Sequence, residues 1–282
     1  MRWFAAFLVI LTVAFGWPLG LLAVHAANSN LHSHILLIPF ICIYLLHMKW
    51  PELPRDYQTS PGWAALPIVG GCGALAAAVV AVFGEGTLPL SHNDRLALVA
   101  FSFFCFLWAG GFLFLGRNWV AQAAFPLGFF LFLVPLPDGF VNWAENGLVL
   151  GSAEATDLFY RLSGTPVFRE GTIFQLPGIV LEVARECSGI RSTWVLVITS
   201  LLASYLFLKN PWHRAVLVAL VIPLGILRNG FRILVIGLLC VHIGPEMIDS
   251  IVHKKGGPLF FALSLVPLFA VAWWLSRRER KE

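Results

Sequence analysis

Charge is the scarcest commodity in this chain. Only 12% of its 282 residues are Asp, Glu, Lys or Arg, while 59% are hydrophobic. A soluble domain carries about 25% charged and roughly 45–50% apolar residues. The deficit excludes a water-solvated globule and predicts an all-α polytopic membrane protein, solvated mostly by lipid. Cysteine is sparse as well. Cys42, Cys72, Cys105, Cys187 and Cys240 form no CxxC pair, which argues against a zinc site or a disulfide scaffold. The histidines lack metal-ligand spacing; His32 and His34, two residues apart, come nearest to it. No metal and no cofactor is expected. No basic stretch is interleaved with aromatics, so nucleic acid is not an expected partner. Internal repeats, low-complexity tracts and a DxD motif are also missing.

What remains is long apolar runs. A spanning helix needs about 20 mainly apolar residues. Eight segments qualify, at about 3–24, 33–48, 62–83, 95–116, 119–135, 189–208, 214–240 and 258–276. The first ends in Val24-His25-Ala26, a pattern like a signal-peptidase site, but its apolar core is longer than a signal peptide needs. We expect a retained helix. The expected layout is one membrane domain over 1–282. It comprises a five-helix half (1–135), an extracytoplasmic segment (136–188), three helices carrying the candidate chemistry (189–276) and a basic cytoplasmic tail (277–282).

Lys and Arg set the orientation. With the N-terminus inside, the cytoplasmic segments hold Arg2, Lys49, Arg55, Arg117, Lys209, Arg214 and the basic tail. The outer face then collects most acidic residues. Between the fifth and sixth spans, about 140–163 has apolar residues at helical spacing and is expected to lie in the interface as an amphipathic helix. Thr172 to Val183 alternates on both sides of Pro177-Gly178, which predicts a β-hairpin.

The hairpin leads into Glu182-Val-Ala-Arg-Glu-Cys-Ser-Gly-Ile-Arg-Ser192. Four of the five cysteines sit inside apolar runs, where cysteine behaves as a small hydrophobe. Cys187 instead stands at or just before the start of a helix. A helix N-terminus, a guanidinium or an imidazole nearby stabilises a thiolate and so activates it. The amides of Ser188 and Gly189 are candidates for an oxyanion site. A buried, inert cysteine is the competing reading. Arg228 and Arg232 lie four residues apart on one face of the seventh span. Arginine at mid-membrane costs at least about 2.5–3.5 kcal/mol, so the pair implies a carboxylate, a substrate anion or a wet cavity. Asn229 could hydrogen-bond a substrate backbone or a neighbouring helix. His253, followed by Lys254 and Lys255, is expected at the same outer depth as Cys187, where it is placed for acid–base work.

The order Glu186-Cys187-Ser-Gly-Ile-Arg-Ser192, then Leu227-Arg-Asn-Gly-Phe-Arg-Ile233, then a histidine before the last span resembles the exosortase/archaeosortase family. The resemblance covers about residues 165 to 265. It implies an integral-membrane cysteine transpeptidase. Such an enzyme processes exported clients bearing a C-terminal sorting signal: a short motif such as Pro-Glu-Pro, a transmembrane segment and a basic tail. By resemblance Cys187 is the nucleophile, Arg232 the arginine and His253 the histidine, with Arg228 as the alternative arginine. The implied partners are membrane-anchored client proteins, the bilayer and an acceptor nucleophile of unassigned identity. The implied location is the cell membrane, with the active site facing outward. Two other readings stay open here: a membrane glycosyl- or acyl-transferase acting on lipid-linked substrates, and a non-enzymatic transporter.

Overall fold

In a computed structural model the chain is mostly helical, with one small sheet. The structure describes residues 1–83, 89–185, 188–249 and 256–280. Among the described residues, six helical segments are long and apolar enough to cross a membrane: Ser33–Glu52, Pro61–Phe83, His92–Leu115, Ile190–Phe207, Pro211–His242 and Gly257–Glu279. Two bent pairs of helices raise the count to eight if each pair is one span. The chain is a multi-pass membrane protein. Large apolar side chains on its outer surface agree with this: Trp3, Val13, Leu66 and Leu259 are each at least two-thirds exposed.

The contacts divide the chain into two compact units, Met1–Phe140 and Val141–Glu282. The first begins with α1 (Arg2–Ala14) and α2 (Gly16–Asn28), which meet at a 65° bend. Pro18 explains the break: its ring would collide with the carbonyl of Ala14 and it has no N–H to donate there. A 3-10 turn (Ser33–Leu37) leads into α3 (Ile38–Lys49). Next come α4 (Pro61–Phe83) and α5 (His92–Gly110). These two pack closely because Gly71 presents no side chain to Phe106, and Ser102 Oγ donates to the Gly71 carbonyl at 2.9 Å. The fifth expected span differs from its reading. Residues 119–135 break into α6 (Arg117–Gln122), α7 (Ala124–Phe129) and a 3-10 turn (Phe130–Leu133). Pro126 again forbids continuation, because it would clash with the Gln122 carbonyl. Hydropathy reports only that the stretch is greasy, not that it is interrupted.

The second unit contains most of α8 (Asp138–Ser163), the amphipathic helix expected at about 140–163. Its sheet orders β1 (Phe168–Glu170), β2 (Ile173–Leu176) and β3 (Ile179–Glu182), all antiparallel. β2 and β3 are the predicted hairpin, with Leu176 opposite Ile179. Gly178 has φ 82°, which suits the second corner of a tight turn with proline at the first. β1 was not expected from the sequence. Arg169 ties it to α8 through Glu154, at 2.6 Å. Phe174, Leu176 and Leu181 bury the inner face of the sheet against Tyr160 and Ile233.

The membrane part of this unit consists of α9 (Ile190–Phe207), α10 (Pro211–Ala219), α11 (Val221–His242) and α12 (Gly257–Glu279). Leu196, Leu217, Val221, Leu268 and Ala272 form its core. At one end of the bundle the Glu279 carboxylate accepts from the amides of Lys209 and Asn210 and pairs with His213. Lipid supplies no hydrophobic push between helices, so small residues must let them approach. Gly230 on α11 does this. A Cβ there would stand 2.7 Å from the Ala155 methyl and 3.1 Å from the Thr156 amide nitrogen of α8. The Gly230→Ala variant is therefore expected to lose about 1–3 kcal/mol to overpacking, read as a lower unfolding midpoint in mixed detergent micelles. An unchanged midpoint would show that the α8–α11 contact is looser than described.

Candidate active site

The candidate site lies where α9 begins. Gly189 is the N-cap of α9 and adopts φ 72°, ψ 13°, a left-handed conformation that glycine enters without the Cβ penalty. Ser188, which follows Cys187 in sequence, is only 2% exposed. Its amide donates to the Arg185 carbonyl at 2.9 Å. That corrects one expectation: the Ser188 N–H is spent within its own turn and does not wait for an oxyanion. The Gly189 amide carries that expectation forward alone.

Arg228, 8% exposed, reaches this turn from α11. Its Nη2 donates to the Gly189 carbonyl at 3.3 Å and to Thr193 Oγ1 at 3.4 Å. The Gly189 carbonyl also accepts the Thr193 amide at 2.9 Å, the first bond of α9. One carbonyl thus joins the helix start to the buried guanidinium. Closeness is enforced one turn earlier on α11: a Cβ on Gly225 would stand 2.7 Å from Thr193 Oγ1. No described carboxylate pairs with Arg228, and its Nη1 has no hydrogen-bond partner among the described residues.

Arg232, one turn further along α11, is half-buried and sits differently. It lines a small cavity of about 70 Å³ together with Leu181 and Glu182 of β3, Asn229 and Ile233 of α11, and Ile248. Asn229 is 2% exposed, and its Nδ2 donates to Ser152 Oγ of α8 at 3.0 Å. The structure therefore brings Ser188, Gly189, Arg228, Asn229 and Arg232 into one region of the second unit. Cys187 and His253 lie outside the described residues.

Ser152, Thr156 and Thr193 were not singled out from the sequence. Thr156 Oγ1 donates to the Ser152 carbonyl at 2.7 Å and approaches the Gly230 carbonyl at 3.5 Å. Their signal was available: Ser152, Ala155 and Thr156 form a small, polar stripe at helical spacing on α8, the kind of face against which another membrane helix packs. The chemistry open to the arrangement is anion binding. Two guanidinium groups and the first turn of a helix all favour negative charge. Among the described residues no three His, Cys, Asp or Glu side chains are placed to hold a metal ion.

Against the models of known families, residues 26–270 match the one described as transmembrane exosortase (Exosortase_EpsH). No curated protein and no solved structure matches the chain.

Gly189→Ala tests the turn. Alanine in the left-handed region costs about 1–2 kcal/mol, and its Cβ would lie 2.9 Å from Arg228 Nη2. The Thr193 amide is expected to exchange its hydrogen at least about fivefold faster in the variant, read by hydrogen exchange with mass spectrometry. Unchanged exchange would mean the turn bears no such strain.

Proposed function

The chain belongs to the transmembrane exosortase family, and on that premise we propose that it is a cysteine transpeptidase or protease. The family is generally considered one of transpeptidases. Its clients are exported proteins anchored by a C-terminal sorting signal, cut at the outer membrane face. The observation that carries the reading is the region where the start of α9, held by Arg228, and the cavity lined by Arg232 both belong to α11 contacts. This is an anion-receptive region beside the residue that follows Cys187 in sequence.

The proposed chemistry proceeds in two halves. The Cys187 thiolate attacks the carbonyl carbon of the scissile peptide. A C–S bond forms, and the carbonyl electron pair moves onto oxygen. Arg232, with the Gly189 amide, stabilises that oxyanion; alternatively, Arg232 pairs with a carboxylate of the client motif. The intermediate collapses, the C–N bond breaks, and His253 as imidazolium gives its proton to the departing amine. The product half is a thioester on Cys187. An amine or hydroxyl of an acceptor then attacks this thioester and gives its proton to His253, and the thiolate is restored. With water as acceptor the same steps give hydrolysis.

The two arginines have separate tasks in this account. Arg228 is a positioning residue, engaged by the first turn of α9. Arg232 lines the cavity and is the one aimed at substrate. Asn229, bonded to Ser152, holds the cavity wall between them.

Processing of a co-expressed client with a sorting signal is the test. Cys187→Ala, Arg232→Ala and His253→Ala are each expected to leave the client uncut while the enzyme accumulates normally. Arg232→Lys is expected to slow processing about 10²-fold, as loss of one oxyanion donor does, because an ammonium does not reproduce a planar fork. Full processing by any of the alanine variants removes that residue from the mechanism. Full processing by Cys187→Ala ends the thiol reading altogether.

A further inference from the structure

The small sheet has two edges, and one of them lies at the candidate site. β1 closes one side and β3 the other, with β2 between them. In an antiparallel pair, successive residues turn their backbone groups alternately toward the partner strand and away from it. The Val183 amide donates to the Thr172 carbonyl at 3.0 Å. These two residues continue the register in which Ile173 stands opposite Glu182. Counting by twos from that bond, Leu181 and Ile179 turn their N–H and C=O groups to β2. Val180 and Glu182 turn theirs outward. None of these four outward groups has a hydrogen-bond partner among the described residues. By the same alternation β1, three residues long, turns out the backbone groups of Arg169 alone.

The free edge of β3 meets the cavity that Arg232 lines. Leu181 and Glu182 both border that cavity. Adjacent residues of a strand point to opposite faces of the sheet. A cavity bordered by both therefore meets the strand at its side, and β2 occupies the other side. α11 supplies Asn229, Arg232, Ile233 and Ile236 to the walls, and the 3-10 turn Pro245–Asp249 supplies Ile248. At about 70 Å³ the cavity is too small for a strand, but it has room for one small side chain of a strand laid along the edge. β3 ends at Glu182, five residues before Cys187 in sequence. Val180, 62% exposed, offers such a strand an apolar cross-strand neighbour.

We infer that the client binds as a fourth strand on the free edge of β3. The outward backbone groups of Val180 and Glu182 are its hydrogen-bond partners, and one of its side chains enters the cavity. This rests on the peptide cleavage proposed above. An extended peptide is the occupant that fits, because the edge presents donors and acceptors at strand spacing and another extended backbone matches both. The residues before the cut supply that stretch. Those after it run into the client's transmembrane helix, whose amides are already bonded within the helix. Pairing also sets the register of the client, since a slip of one residue turns every side chain to the opposite face.

The test uses the full-length protein in nanodiscs and a client that the wild-type protein cuts. The client is rebuilt by ligation so that one backbone amide at a time carries an N-methyl group, across six residues ending two short of the cut. Strand pairing makes the response alternate. N-methylation is expected to lower kcat/KM about tenfold at two positions two residues apart, and by less than about twofold at the residue between them. Loss at consecutive positions, or at none, overturns the pairing. Hydrogen exchange read by mass spectrometry at single residues tests the enzyme's side. Adding client to the Cys187→Ala protein is expected to slow exchange of the Val180 and Glu182 amides at least about fivefold and to leave the Arg169 amide unchanged. Unchanged exchange at Val180 and Glu182 overturns the pairing. So does protection that is present before client is added and grows with enzyme concentration, which assigns the edge to a second copy of this chain. Val180→Pro deletes one outward donor and leaves the bonds to β2 in place, a substitution that an edge strand accepts. Its KM for the client is expected to rise about tenfold with kcat within about twofold, and an unchanged KM overturns the pairing. Failure of the wild-type protein to cut any client overturns the peptidase reading itself, whereas cutting without alternation overturns the pairing alone.

Discussion

A guanidinium buried between membrane helices must find acceptors, and the second half of this chain is arranged around that demand. Arg228 meets it in the first turn of α9, through the Gly189 carbonyl and the Thr193 hydroxyl. Both contacts are long for hydrogen bonds, but each is charge-assisted, and the alternative is an uncompensated ion in a low dielectric. The consequence is geometric. The carbonyl that opens α9 is held from α11, so the chain leaves Ser188 in one defined direction. Gly189 makes this possible twice over: it accepts the left-handed backbone, and it leaves room for Arg228 Nη2.

Close approach of backbones supports the same point. Lipid tails are as apolar as leucine, so membrane helices associate through packing and polar contacts rather than through exclusion of water. α11 supplies glycines at 225 and 230 where α9 and α8 come against it, and Asn229 bonds to Ser152 between them. A helix that carries Arg228, Asn229 and Arg232 is thereby pinned on two sides. Its second arginine, Arg232, lines the cavity beside β3. The sheet, anchored to α8 by Arg169 and Glu154, roofs that cavity with Leu181 and Glu182. The proposed acyl transfer through an oxyanion rests on family membership and on this anion-receptive region, and Cys187 enters it as the proposed nucleophile.

The sequence made some of this visible and hid the rest for identifiable reasons. Six of the apolar runs appear as continuous candidate spans because length and hydropathy are what define a span. The Pro177-Gly178 hairpin was legible because turn chemistry is local. The stretch 119–135 was misread as one helix because hydropathy does not register the clash that Pro126 makes with the preceding turn. β1 was hidden because Phe168, Arg169 and Glu170 are too few to alternate; the strand exists through pairing with β2 and an ion pair to α8. Arg228 and Arg232 looked equivalent, since four-residue spacing places both on one face. Only tertiary context separates them, one bonded to a helix start and the other lining a cavity. Ser152, Thr156 and Thr193 escaped notice because isolated hydroxyls in an apolar helix have no pattern until a partner helix is known.

The account stands on a covalent intermediate at residue 187. Enzyme and client incubated with no added amine acceptor, quenched in acid and measured as intact protein, test it most directly. The account predicts an enzyme species heavier by the client's N-terminal fragment, mapped to Cys187 and released by hydroxylamine as thioesters are. Client cleavage that proceeds at full rate with no hydroxylamine-sensitive adduct on the enzyme, or with the adduct on another residue, would contradict it.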